Sequence, residues 1–204
     1  MPALLERETG VSNEMLTPLL WTAEEYLRLS ETDILIQKTE LIAGEIFKKM
    51  GQNLPYIITL FALAQWLRQT FGDDFVNTQT SLLLKNARQG DSVPEPDAVV
   101  FAKRVLSFRK QLPTASEVLL VVEISDNTLA FDLVNKAPAY SKTGIVEYWI
   151  VDVNGERIIV HRDPTENDYS SVIAYNGDEE VSPLAKPDAK IAVSALFPAD
   201  DAQD

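Results

Sequence analysis

Two stretches of the chain, Ala98-Val99-Val100-Phe101 and Val118 to Val122, carry no polar position on either face of a strand. A strand with one wet face alternates apolar and polar side chains; one without alternation belongs in the middle of a sheet covered on both sides. Each run abuts a carboxylate: Asp97 precedes the first and Glu123 follows the second. The stretch from Asn53 to Gly72 keeps helical spacing instead. Ile57, Leu60, Phe61, Ala64, Leu67 and Phe71 fall on one face, Pro55 lies in the first turn and Gly72 past the end.

The remaining pattern fills in around these segments. Thr22 stands three residues ahead of Glu25, a capping box that starts a short helix at "TAEEYLRLSE". "TELIAGEIFKK" predicts two short strands turning at Ala43-Gly44. Phe75 to Leu84, Asp97 to Ala102 and Val118 to Ile124 are three successive strand candidates. "LAFDLVNKAPAYSKTG" predicts a second helix ending near Gly144, kinked or delayed by Pro138. "EYWIVDVNGERIIVHR" predicts a hairpin turning at Asn154-Gly155, followed by a strand from Tyr169 to Tyr175. The order helix, three strands, helix, strand predicts an α/β fold: a mixed β-sheet flanked by helices (α-β-β-β-α-β), with an added N-terminal helix and hairpin. Residues 1–18 are expected to form a mobile arm, 19–198 one domain and 199–204 an acidic tail.

Composition narrows the class. The chain has 204 residues, no cysteine and a formal net charge of −13. Without cysteine there is no disulfide framework and no thiolate nucleophile or ligand. The charged start, with Glu6, Arg7 and Glu8, lacks a signal peptide's apolar stretch, and the longest nearly apolar run, Ile57 to Ala64, is far short of the roughly 20 residues that span a bilayer. A soluble, cytoplasmic protein without membrane contact is expected. The acidic surface argues against a general nucleic-acid coat. Residues 147–204 carry most of the excess, however, with 13 acidic and 4 basic side chains. Lys85, Arg88, Lys103, Arg104, Arg109 and Lys110 make the segment flanking Asp97 locally basic. Lys103, Arg104 and Lys110 are therefore candidates for substrate binding.

The two carboxylates then acquire a chemical reading. If the strands after Asp97 and before Glu123 pair antiparallel, both acids emerge at one edge of the sheet. Two such acids repel unless a cation sits between them. Hard oxygen donors suit Mg²⁺ or Mn²⁺, with Glu40 of the early hairpin available as a third acid, although Glu45 is a rival on the same hairpin. Lys136, on the helix that leaves Glu123, can reach back toward them. Two acids and a lysine around a hydrated divalent ion suit phosphodiester hydrolysis.

"PEPD" at 94–97, "VVEIS" at 121–125 and the spaced set D-x3-K-x3-Y-x3-G-x2-EYW-x-VD from Asp132 to Asp152 resemble the Uma2 family, also called DUF820, of the PD-(D/E)XK nuclease superfamily. "TELIAGEI" at 39–46 resembles the family's early acidic hairpin, and the similarity runs from about Thr22 to Arg162. The resemblance implies a restriction-endonuclease-like core with a divalent-metal site. Asp97, Glu123 and Lys136 would be catalytic, and Asp97, Glu123 and Glu40 would hold the metal. The superfamily's lysine, normally two residues after the second acid, is here Ser125, and the following helix supplies Lys136 in its place. Two departures bear on substrate contacts. The family's common histidine near the start of the long helix is absent from "NLPYI", and the loop before Asp132, often basic in relatives, is Leu129-Ala130-Phe131.

Competing readings attach to each residue. Asp97 alone fits a turn after Pro96, Glu123 a strand end, and Lys136 a helix-surface pair with Asp132 four residues earlier. His161, the one histidine, reads as an edge-strand residue; Tyr140, Tyr148 and Trp149 read as core and interface. Taken together, the expectation is a metal-dependent endonuclease acting on DNA with a narrow structural substrate, as a homodimer when two strands are cut. A catalytically silent nuclease-fold module that binds nucleic acid or protein is the alternative, and hydrolysis of another phosphoester a third.

Overall fold

A computed structural model of the chain describes residues 18–197 except 33, 35, 36 and 89, so the expected arm, residue 18 apart, and the whole of the expected acidic tail lie outside the described residues. Its frame is a six-stranded sheet in the order β3 (Val76–Thr78), β4 (Ala98–Phe101), β5 (Val118–Ser125), β6 (Glu147–Asp152), β7 (Arg157–Pro164) and β8 (Tyr169–Asn176). All neighbours pair antiparallel except β5 and β6, which run parallel. A parallel pair needs a crossover, and residues 129–142 provide it as a helix. The apolar runs are central strands: Val99, Val100, Val121 and Val122 are all fully buried.

Period-two alternation sorts the sheet into two faces. Ala98, Val100, Leu120, Val122, Trp149 and Val151 face α2 (Leu54–Phe71) and the C-terminal segment, whose Val193 and Leu196 close the same core. Val99, Val121, Tyr148 and Ile150 face the crossover helix through Ala137 and Tyr140. Asp97 shares the parity of Val99, and Glu123 that of Val121. Both acids therefore belong to the crossover-helix side of the sheet.

The helix α2 is capped by Asn53, whose side chain accepts from the Tyr56 amide. Its buried face differs from the one expected. Tyr56, Thr59, Leu63, Ala64 and Leu67 point inward, whereas Ile57 and Phe61 are exposed. The helix is apolar nearly all round, so spacing alone selects no face. The choice is made by partners, with Tyr56 drawn to Asp97 and Trp66 stacked on Trp149.

The strand expected over Phe75 to Leu84 is also shorter. Phe75 lies in a 3₁₀ turn, and Gln79, with φ of 52°, ends the strand just after Thr78. Leu83 and Leu84 make only isolated bridges, to Thr114 and Ser92. His161 is not at an edge. Because β8 adds outside β7, His161 is buried between the rings of Tyr148 and Tyr169, at 5.2 and 5.6 Å.

The short helix α1 (Ala23–Ser30) begins with the expected Thr22–Glu25 capping box. The hairpin of β1 (Thr39–Ile42) and β2 (Glu45–Lys48) forms its own two-stranded sheet, turning through Ala43 and Gly44 with φ of 49° and 81°. Both central residues at positive φ is the type I′ arrangement whose twist matches a hairpin. It docks on the segment before β4 by Val93 N–H to Leu41 C=O and Gly44 N–H to Asp91 C=O, both 2.8 Å. Gly90 makes this approach feasible, since a Cβ there would lie 2.6 Å from the Ala43 backbone.

The "EYW" segment has a structural account. Glu147, fully buried, accepts hydrogen bonds from Trp149 Nε1 at 3.0 Å, Arg162 Nε at 2.8 Å and the Leu184 amide at 2.8 Å. A buried anion needs such pairing, and the amide contact ties the C-terminal segment to the sheet.

Candidate active site

In the antiparallel β4–β5 ladder, Ala98 lies opposite Val122, so Asp97 and Glu123 meet across the end of the pair. Asp97 Oδ2 accepts from the Ile124 amide at 2.7 Å, and Oδ1 accepts from the Tyr56 hydroxyl. Glu123 Oε1 accepts from the Tyr140 hydroxyl at 2.7 Å and from Lys136 Nζ at 3.0 Å. Lys136 also reaches Glu40 Oε1 at 3.2 Å and Asp132 Oδ1 at 3.6 Å. Asp97, Glu123, Lys136, Glu40 and Asp132 are all buried.

Local backbone chemistry explains how Lys136 arrives there. The crossover comprises α3 (Leu129–Phe131), a π-helical turn Asp132–Lys136 and α4 (Ala137–Lys142). Pro138 offers no amide to the helix, and the Ala137 N–H bonds the Asp132 carbonyl five residues back. The sequence predicts a kink or a delayed start at Pro138; the crossover is instead helical from Leu129 and widens into this turn just before the proline. The turn carries both Asp132 and Lys136 on the buried side. Asp132 is fixed in turn by Thr128 Oγ1 at 2.7 Å and by the Ser125 hydroxyl.

The charges do not balance: one ammonium faces Glu40, Glu123 and Asp132, with Asp97 nearby. Burial pushes the Glu123 carboxyl up to about 8, with Lys136 pulling it down and Asp97, Asp132 and Glu40 raising it further. Burial also raises Asp97, against the hydrogen bonds from Tyr56 and Ile124 and the charges of Lys136 and Lys49. Burial works against the Lys136 ammonium, but Glu123, Glu40 and Asp132 outweigh it and hold Lys136 well above its ordinary value. Tyr56 and Tyr140 are raised by burial and by the acids they contact. Both tyrosines remain protonated donors, and Lys136 remains a cation.

Asp97, Glu123, Glu40, Lys136, Asp132 and Tyr56 line one cleft of about 430 Å³, with Phe47, Lys48, Lys49, Met50 and Phe131 at its rim. Among the described residues, no three His, Cys, Asp or Glu side chains converge as a ready-made metal cluster. The donor chemistry nevertheless fits a hard divalent ion. Two facing carboxylates with raised pKa values are destabilised as anions, a carboxylate oxygen keeps a lone pair after accepting one hydrogen bond, and a cation relieves the repulsion. Glu40 is turned to Lys136 and to the Glu95 amide, 3.5 Å from its Oε2.

Asp97, Glu123, Lys136 and Glu40 are thus brought together, and the rival Glu45 is exposed. Lys103, Arg104 and Lys110 are not. They follow β4, whereas Asp97 precedes it, so the strand's length of about 13 Å at ~3.3 Å per residue separates them from the cleft. Lys103 pairs with Glu117 at 3.1 Å, and Arg104 pairs with Asp74. Tyr56, Tyr140, Asp132 and Ser125 join the site without having been singled out for it. A tyrosine among apolar residues reads as core. Only the Ser125–Asp132–Lys136 spacing held a signal, since it places a polar chain next to the acid.

Comparisons with known proteins identify the family and the fold. The profile of the Uma2 family, described as "Putative restriction endonuclease", matches residues 23–194. A solved structure from Anabaena variabilis ATCC 29413, titled a "putative nuclease belonging to DUF820", superposes with a TM-score of 0.64 at 16% identity. That alignment covers 88% of this chain and 98% of the other, and it shows a shared fold. Among curated proteins, no sequence matches. With a family match spanning most of its length and the same fold in a DUF820 structure, the chain belongs to the Uma2 family.

Proposed function

We propose that the protein is a divalent-metal-dependent endonuclease that hydrolyses phosphodiester bonds in DNA, with Asp97 and Glu123 holding Mg²⁺ or Mn²⁺ and Glu40 closing the acidic side. The observation that carries this reading is the placement of Lys136 Nζ 3.0 Å from Glu123 and 3.2 Å from Glu40, in a cleft shared with Asp97. When bound, the metal ion supplies an acidified water and neutralises phosphate charge.

The protein's own groups do the rest. Lys136 stays protonated, so it does not act as a general base. It donates to a non-bridging phosphate oxygen, where negative charge grows as the attacking oxygen bonds phosphorus and the bond to the leaving sugar oxygen breaks. Tyr56 and the Ile124 amide fix both oxygens of Asp97, and Tyr140 fixes Glu123. Asp132, itself held by Ser125 and Thr128, faces the Lys136 ammonium at 3.6 Å. Cutting both strands of a duplex at once would need two such sites, which a symmetric homodimer supplies.

A second reading, nucleic-acid or protein binding without cleavage, draws on one feature: Lys136 already neutralises part of the acidic set that would hold the metal. The discriminating experiment is a cleavage assay with Mg²⁺ or Mn²⁺ on duplex, single-stranded and branched DNA and on RNA. Metal-dependent cutting that disappears in Asp97→Ala supports the nuclease. No cutting of any substrate, with binding retained, supports the silent module.

A further inference from the structure

The rim of the cleft is aromatic on the side where the acids are. In the β1–β2 register Glu40 lies directly opposite Phe47, so the two side chains share one face of the hairpin. Directly opposed residues have Cβ atoms about 4.5–5.5 Å apart. Phe131, from the helix that carries Lys136, meets Phe47 edge to face, with ring centroids 4.8 Å apart and planes at 63°. Neither ring is buried, and both line the cleft with Asp97 and Glu123. Met50, 65% exposed, and Ala130 extend this apolar rim. The cleft's cations are few. Lys136 is held by the acids, Lys49 Nζ bonds Glu95 Oε1 at 2.9 Å, and Lys48 is exposed at the opening.

We infer that this cleft receives an unpaired nucleotide, its base stacked on the Phe47–Phe131 pair and its neighbouring phosphate near Lys48. The inference rests on the nuclease reading and names its substrate class. Three considerations support it. A volume of about 430 Å³ is the size of a site for one small molecule, within the ~300–1,000 Å³ of ligand pockets. A duplex presents phosphates outward and keeps its base faces stacked inside, so phenylalanines would contribute little to it and would cost phosphate solvation. An unpaired base offers the π-face that phenylalanine binds. The cation supply points the same way: with one or two phosphates engaged, the salt slope for a single strand is about −0.7 to −1.4, far from that of a duplex-tracking surface.

The test is equilibrium binding of the full chain in Ca²⁺ to fluorescein-labelled oligo-dT, oligo-U and a blunt duplex of equal length, followed by fluorescence anisotropy. Wild type is expected to bind the single strands at least ten-fold more tightly than the duplex. Phe131→Leu and Phe47→Leu keep apolar bulk and should lower single-strand affinity about five- to ten-fold, while Phe131→Trp should preserve it; thermal melts verify that each variant folds. Equal affinity for duplex and single strands, or Leu variants that bind as wild type does, would overturn the inference. Cleavage separates the two claims. A chain that cuts duplex as fast as single strand, unaffected by Phe131→Leu, keeps the nuclease reading and loses this one. A chain that cuts nothing but binds oligonucleotides through the phenylalanines loses the first and keeps the second.

Discussion

The Ser125 hydroxyl donates to Asp132 Oδ2, so the position two residues beyond Glu123 on β5 supports the aspartate beside Lys136. Ser125 and Glu123 share a strand face, and a lysine at 125 would place its ammonium near the space Lys136 occupies. Lys136→Ala should abolish cleavage. It should also lower stability at pH 7 by about 3–5 kcal/mol, because buried acids lose their cation. The double variant Ser125→Lys/Lys136→Ala should recover part of both, read by cleavage rate and urea unfolding. Full activity in Lys136→Ala would reduce the lysine to an ion-pair partner.

Stability should fall with rising pH when metal is absent. Glu123 is raised from 4.5 to about 8, so between those values the folded chain holds a proton that the unfolded chain has released. Native protein then binds more protons, and unfolding free energy declines as pH rises through this window. Thermal melts in EDTA from pH 5 to 8.5 should show the decline, and Glu123→Gln should flatten it. An unchanged slope in that variant would contradict the shift.

Metal should reverse the trend. Mn²⁺ binding to ionised Asp97 and Glu123 displaces protons, so its stabilisation should grow from pH 6 to pH 8. Calorimetry in two buffers of different ionisation enthalpy would count the protons released. Asp97→Asn should remove the binding. Tyr56→Phe, which deletes only the donor to Asp97 Oδ1, should weaken it about ten-fold, as loss of a ligand's hydrogen-bond partner generally does.

Charge reversal should locate the substrate. Arg104→Glu and Lys110→Glu, both on the far side of β4 from Asp97, should change affinity for labelled oligonucleotide less than two-fold. Lys48→Glu, at the cleft opening, should weaken it several-fold. The opposite ranking would place the substrate on the basic loop after β4.

The placement of the two candidate acids was legible because two-sided apolar runs suit central strands, and a carboxylate at the end of each then meets its counterpart when the strands pair antiparallel. The antiparallel pairing on which that reading depends is present, with Ala98 opposite Val122. What stayed hidden depends on distant partners. Tyr56 and Thr59 face inward on an almost uniformly apolar helix because Asp97 and the sheet receive them, not because of their spacing. The turn that presents Lys136 is π-helical, a property of the Ala137 amide reaching back to the Asp132 carbonyl beside a proline that has no amide, rather than of hydrophobic period. Sequence proximity does not translate into spatial proximity here: Lys103 is six residues from Asp97, yet the extended strand between them carries it to the opposite end of β4.

The hairpin that carries Glu40 and Phe47 is hydrogen-bonded to the segment before β4 and not to the six-stranded sheet. The site is therefore expected to open in two steps, hairpin first, and hydrogen exchange checks this. Amides of β5, paired on both sides, should exchange with solvent only on global unfolding, whereas those of β1 and β2 should exchange through a smaller local opening. When the hairpin is away, Lys136 loses Glu40 and keeps Glu123. The acidic pair on the sheet therefore outlasts the third acid, and the energy of hairpin docking becomes part of whatever affinity the assembled cleft has for its substrate.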